Sequence, residues 1–156
     1  MVRSPAAMRA LGRRLARGLP PGAVVGLDGP LGAGKTVLVR GMVEGLGGDG
    51  RLVTSASFVL RQTYPTNPPL IHVDLYRLDD PDEIHEAGLL ETIGDPGEAI
   101  VAVEWYANLG DERADVRVLI RTTEPGCRRV RIERVPRPAT PRDHPSASIL
   151  RRSRCA

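Results

Sequence analysis

The chain has 156 residues, 41% apolar and only 3% aromatic, which suits one domain of ordinary size with a core built mainly from Val, Leu, Ile and Ala. No apolar run approaches the ~20 residues needed to span a bilayer, and the apolar residues of the basic N-terminus are spaced helically rather than as a continuous signal segment. The net charge of +3 divides unevenly: residues 125–156 hold nine arginines against Glu133 and Asp143, while residues 1–124 hold 13 basic and 17 acidic residues.

Ser4-Pro5 reads as an N-cap followed by proline at the first helical position. Met8, Leu11, Leu15 and Leu19 then fall on one helical face, and Gly18 with Pro20-Pro21 stops that helix. Ala23 to Asp28 reads as a short buried strand. Residues 29–34 are glycine-rich, and a second helix is expected from Lys35 to Leu46, ended by Gly47-Gly48. Phe58 to Tyr64 and Leu70 to Tyr76 read as strands joined by the turn-rich PTNPP. Asp80-Pro81-Asp82-Glu83 is a helix start in which Asp80 caps, Pro81 fits the first turn and Glu83 can reach back; Gly88 is the expected stop. Ala99 to Val103 is another apolar run. Val116 to Ile120 and Val130 to Val135 alternate and form a hairpin around Pro125-Gly126.

From Pro136 onward come four prolines within ten residues, then serine and arginine. Ordering such a segment costs roughly 1–2 kcal/mol per residue with little apolar area to offset it. The expected division is a folded domain over 1–135 and a Pro/Arg-rich, disordered tail over 136–156. The two cysteines, Cys127 and Cys155, lack metal-like spacing, and a reduced, cytoplasmic protein without structural disulfides is expected. The order of elements is strand, loop, helix, then mostly strands. That order implies a single α/β domain with a mixed parallel and antiparallel sheet flanked by helices.

GPLGAGKT, residues 29–36, contains the only lysine in the chain, against 21 arginines. Gly29-x-x-x-x-Gly34-Lys35-Thr36 fits the P-loop pattern between a strand and a helix. The glycines let backbone N–H groups turn inward without Cβ clashes. The backbone of Gly29, Leu31, Gly32, Ala33 and Gly34, continued by Lys35, Thr36 and Val37, then forms a nest for phosphate oxygens at the helix start. Lys35 must reach the β- and γ-phosphates as a compact charge on a flexible stem, and a planar arginine fork suits that pocket badly. Thr36 supplies a hydroxyl to Mg²⁺.

Such a site needs carboxylates for the metal and the attacking water. Two apolar runs end in one: Leu70 to Val73 leads into Asp74, and Ile100 to Val103 leads into Glu104. Either can hold Mg²⁺ directly or through water, and the residues alone do not divide the two roles. The guanine-selective Asn-Lys-x-Asp pattern is impossible, because the only lysine is already placed; adenine is therefore the expected base.

GPLGAGKT, SASFVL at 55–60, HVDLYRL at 72–78 and VEW at 103–105 resemble, in order and spacing, the bacterial TsaE (YjeE) family, over about Leu11 to Val135. The resemblance implies a P-loop ATPase of tRNA threonylcarbamoyladenosine biosynthesis. Such proteins bind and hydrolyse ATP with Mg²⁺, slowly when alone, and work with TsaD and TsaB, which modify the tRNA; contact with tRNA is implied only through that complex. Residue by residue, it makes Lys35 and Thr36 the phosphate and Mg²⁺ groups, Glu104 a Mg²⁺ ligand, and Asp74 the residue that orients water or the metal shell. Ser57 stands at the threonine of the family's SPT segment, a switch-like loop near the γ-phosphate, and Arg128 matches a basic residue near the nucleotide. Ala56 replaces the usual proline of that segment, Pro30 a common acidic residue, and Tyr106 a common proline.

Several residues remain open on sequence. Trp105 can face the nucleotide or a partner, or belong to the core. His72 shares a strand face with Asp74 and can support the site or simply be a satisfied core histidine. Tyr76 and Arg77 can meet a partner, or Arg77 can pair with Asp79 or Asp80. A small-molecule kinase would use the same P-loop but needs a lid with several arginines, and no segment of suitable length lies between Thr36 and Glu104. A nucleotide-gated RNA-binding module would use the arginine-rich end; a solvated tail is the simpler account of those charges.

Overall fold

A computed structural model describes residues 1–54, 60–78, 80–110 and 114–135. Helix α1, Pro5–Arg17, is capped by Ser4, whose Oγ accepts the Ala7 N–H at 3.1 Å. It buries Met8, Leu15 and Ala16. Strand β1, Val24–Asp28, leads through the glycine-rich loop into helix α2, Lys35–Gly45. Strands β2, Arg61–Tyr64, and β3, Leu70–Asp74, follow. Two one-and-a-half-turn helices come next, α3 over Pro81–Glu86 and α4 over Leu89–Gly94. Strand β4, Ile100–Glu104, precedes the hairpin of β5, Val116–Glu124, and β6, Cys127–Arg134.

One six-stranded sheet runs in the order β2-β3-β4-β1-β5-β6. Strands β3, β4, β1 and β5 are mutually parallel, and β2 and β6 close the two edges antiparallel. The mixed sheet expected from the order of elements is therefore present. Strands β3 and β4 are buried along their whole length and β1 over its first four residues, as parallel strands covered on both faces should be. One face packs against α1 and α2 through residues such as Leu15, Leu27, Leu38, Met42 and Ile100. The other packs against α3 and α4 through Val73, Ile84, Leu89, Val101 and Tyr106.

The differences from the sequence expectations are local. Strand β3 ends at Asp74 rather than Tyr76, because the Asp74 carboxylate accepts the N–H of Tyr76 at 3.0 Å and turns the chain. Gly88 does not simply stop α3; with φ of 67° it also starts α4, which the sequence reading did not anticipate. Strand β2 begins at Arg61, and Phe58 and Val59 lie outside the described residues, as does the tail over 136–156. Among the described residues no helix is long and apolar enough to cross a membrane, and Cys127 is a buried free thiol.

Helices α1 and α2 cross at close range because glycine faces glycine. A Cβ on Gly12 would strike the Leu38 carbonyl, and one on Gly41 would strike the Arg9 carbonyl. Glu44 then fastens the crossing, accepting from both Arg9 and Arg13. These guanidinium donors hold its carboxyl below the ordinary value. A methyl group has no free space at this backbone contact, and overpacking costs about 1–3 kcal/mol. Gly41→Ala is expected to lower the unfolding free energy by that amount, read as a lower urea midpoint at unchanged slope; an unchanged midpoint would show a looser crossing.

Candidate functional site

Parallel strands place their carboxyl ends on one edge of a sheet, where ligands of open α/β folds bind. Here three such ends carry acids: Asp28 on β1, Asp74 on β3 and Glu104 on β4. The register sets Glu104 opposite both Leu27 and Asp74. The glycine loop leaves β1 at this edge. Gly32 and Gly34 adopt φ of 74° and 106°, a region closed to most side chains, and Gly34 caps α2.

Lys35 is 4% exposed. Its Nζ donates to the carbonyls of Gly29 at 2.6 Å and Pro30 at 3.2 Å, and lies 3.9 Å from the centre of the Trp105 ring. Burial pulls its ammonium below the ordinary lysine value, while the carboxylates of Glu104, Asp74 and Asp28 oppose that shift. Thr36 Oγ1 donates to Glu104 Oε1 at 2.8 Å. The same oxygen lies 2.9 Å from His72 Nε2. Asp28 Oδ1 accepts the N–H of Ala107 at 2.9 Å, steadying the chain beyond β4.

These groups enclose a cavity of about 250 Å³. Its walls include Leu31, Gly32, Gly34 and Val37 from the loop and helix, with Lys35 and Thr36 at its base. Asp74 and Glu104 line it from the sheet, and Tyr76 and Trp105 from beyond the strands. The structure thus brings together Lys35, Thr36, Asp74 and Glu104, which lie in three separate stretches of sequence. Gly29 enters through its carbonyl on Lys35, and Ala33 is buried behind the loop. Arg128 reaches the loop from β6: its Nε donates to the Ala33 carbonyl at 2.8 Å and its second amino group to the Gly32 carbonyl at 3.3 Å. Ser57 lies outside the described residues.

Trp105 and Tyr76 carried no specific assignment from sequence. Trp105 is the only non-glycine with positive φ among the described residues, at 58°, a conformation that costs about 1–3 kcal/mol and clusters at functional sites. That turn swings its ring over Lys35 and against Tyr76, with ring centres 5.2 Å apart. Its place after a strand-ending acid was the available signal.

The donor set is hard oxygen: a hydroxyl and two carboxylates. Among the described residues no cluster of three or more His, Cys, Asp or Glu could hold a metal unaided. This fits Mg²⁺, which takes one or two protein oxygens and completes its shell with water and phosphate.

A mixed sheet with a parallel centre and a glycine loop, a buried lysine at a helix start and an acid across from the following threonine define a P-loop protein. The chain matches the family described as threonylcarbamoyl adenosine biosynthesis protein TsaE over residues 2–131, and it belongs to that family. It is 44% identical over 118 residues to a Streptomyces coelicolor protein named tRNA threonylcarbamoyladenosine biosynthesis protein TsaE, covering 73% of this chain and 77% of the relative. A Mycobacterium leprae protein of the same name is 42% identical over 108 residues, covering 65% of this chain and 67% of the relative. The crystal structure of Bacillus subtilis YdiB superposes with a TM-score of 0.63 at 27% identity, covering 81% of this chain and 78% of that one.

Burial, and then the nearby Glu104 carboxylate, raise the Asp74 carboxyl above the ordinary aspartate value. The folded chain therefore keeps a proton there at pH values where the unfolded chain has lost it. Across that window stability falls as pH rises, and above it the ionised group is a net cost to the free protein. Asp74→Asn keeps the oxygen that accepts from Tyr76. It is expected to raise the melting temperature of the ligand-free protein at neutral pH by a few degrees. A melting temperature that stays level or drops would contradict this assignment.

Proposed function

We propose that this chain binds and slowly hydrolyses ATP with Mg²⁺ in the cytoplasm. In doing so it supports threonylcarbamoyladenosine formation on tRNA, together with TsaD and TsaB homologues. The observation that carries the reading is the Thr36–Glu104 hydrogen bond at 2.8 Å, which sets a hydroxyl and a carboxylate side by side below the phosphate nest.

In this reading residues 1–135 form the ATPase domain and the segment after Pro136 is an appendage. The loop from Gly29 to Gly34, with the first N–H groups of α2, wraps the β-phosphate. Lys35 leaves the Gly29 and Pro30 carbonyls for the β- and γ-phosphates; a hydrogen bond from an ammonium to a charged phosphate is roughly twice as strong as one between neutral groups. Bound Mg²⁺ neutralises charge developing on the phosphates, and Thr36 Oγ1 and Glu104 would hold it. Asp74 orients the water that attacks the γ-phosphorus, giving ADP and phosphate. Ser57 is assigned to the γ-phosphate side by family resemblance. Arg128 braces the loop through its carbonyls, with its guanidinium close to the nucleotide. Trp105 shields Lys35 from water. Partner contact is proposed to complete an otherwise slow site.

Two measurements test this. Lys35→Ala should abolish Mg-ATP binding in calorimetry; unchanged affinity would refute the P-loop assignment. ATP turnover should rise at least tenfold, a lowering of the barrier by about 1.4 kcal/mol, when TsaB and TsaD homologues are added, and Glu104→Ala should remove that rise. Tight ATP binding without any stimulation would point instead to a small-molecule acceptor.

A further inference from the structure

His72, in the middle of β3, has no exposed surface. Its strand neighbours Leu70, Ile71 and Val73 are apolar and buried, so packing alone would be met by another aliphatic side chain. An imidazole brings two polar nitrogens instead, and only one is used. Nε2 lies 2.9 Å from Glu104 Oε1, while Nδ1 is buried without a hydrogen-bond partner among the described residues. A buried polar atom left without a partner lowers stability. Since a carboxylate only accepts, Nε2 is the donor in this bond.

The bond has a directional effect on Glu104. Oε1 takes two donors, Thr36 Oγ1 and His72 Nε2. Oε2 takes no hydrogen bond from the described residues. One oxygen is thus fixed from both sides, and the other is free on a residue that lines the cavity. Without His72, Glu104 would be tethered by the Thr36 hydroxyl alone, beside the attracting Lys35 ammonium.

We propose that His72 is a positioning residue: it locks the rotamer of Glu104 so that Oε2 already faces the incoming magnesium-bound phosphates. The proposal rests on the nucleotide reading above. Partners of this kind, one shell out from a metal, change metal affinity by about 10–100-fold. They should leave metal-free binding of the nucleotide alone.

The test is ADP affinity of the full chain by calorimetry across a magnesium titration, and again in EDTA. His72→Leu is expected to need about 10–100-fold more magnesium for half of the affinity gain, with its EDTA affinity unchanged. His72→Gln, whose amide nitrogen can reach the place of Nε2, should restore most of the wild-type requirement. His72→Asn, whose shorter amide cannot, should behave as Leu does. The Gln and Asn pair, compared at equal melting temperature, keeps the test decisive if His72→Leu does not fold. A wild-type magnesium requirement in the Leu or Asn variant overturns the proposal, as does an equal loss of affinity with and without magnesium, which would mark a packing role. A wild-type chain with no magnesium-linked binding overturns the nucleotide reading and this proposal with it.

Discussion

The structure depends on keeping one ammonium group out of water. Lys35 is held at a position where burial works against its charge, and no aliphatic neighbour could compensate for that. What offsets the cost is the sheet. Three parallel strands end in Asp28, Asp74 and Glu104, and their shared direction brings all three carboxylates to one edge. An antiparallel arrangement of the same strands would send alternate acids to opposite ends. The central parallel pairing is therefore also an electrostatic device, and the carbonyls of Gly29 and Pro30 complete it with two short-range acceptors. The loop conformation follows, because those carbonyls can point at Lys35 only if the glycines take up the required positive φ.

This arrangement concentrates unfavourable terms in one place. Trp105 sits in a left-handed conformation, Asp74 is buried beside another carboxylate, and His72 keeps a buried nitrogen without a partner. The rest of the chain is organised to hold that place still. The glycine-to-glycine crossing of α1 and α2 sets the axis of the helix that starts at Lys35. From the far edge of the sheet, Arg128 grips the loop carbonyls of Gly32 and Ala33. Its own backbone is pinned by the antiparallel bridge to Val2, with both N–H to carbonyl distances at 2.8 Å. The loop is thus supported by residues near both ends of the described chain, and its shape does not rely on α2 alone.

What could be read from the sequence was whatever is encoded locally. The Gly29 to Thr36 spacing, the Ser4 and Asp80 caps, and the apolar runs ending in Asp74 and Glu104 are contiguous signals, and each appears in the structure where it was expected. The misses share a different origin. Gly88 has the same residue type whether it ends a helix or begins the next, and only its φ distinguishes the two roles. The end of β3 is decided by a side chain taking a backbone N–H two residues on, a competition invisible in an apolar pattern. Trp105 was ambiguous because its orientation depends on one backbone torsion. The contact of Arg128 with the loop spans 95 residues of sequence, so no local pattern announces it, and only the family resemblance pointed to that residue.

In the proposed reading, the opposite states of the two halves of the site account for a lysine at position 35. The Thr36, Glu104 and His72 side is already assembled, with its hydrogen bonds made. The Lys35 side is not: its ammonium is parked on neutral carbonyls under the Trp105 ring. In that reading, reaching a phosphate has it exchange those partners one at a time. A point charge with three rotatable donors can do this, giving up one carbonyl as it gains one phosphate oxygen. A guanidinium would have to turn its whole plane within the space between the loop and Trp105, breaking all its bonds before making new ones. The use of arginine at 21 other places in the chain and lysine only here is consistent with a requirement for stepwise exchange of partners, beyond the need for positive charge.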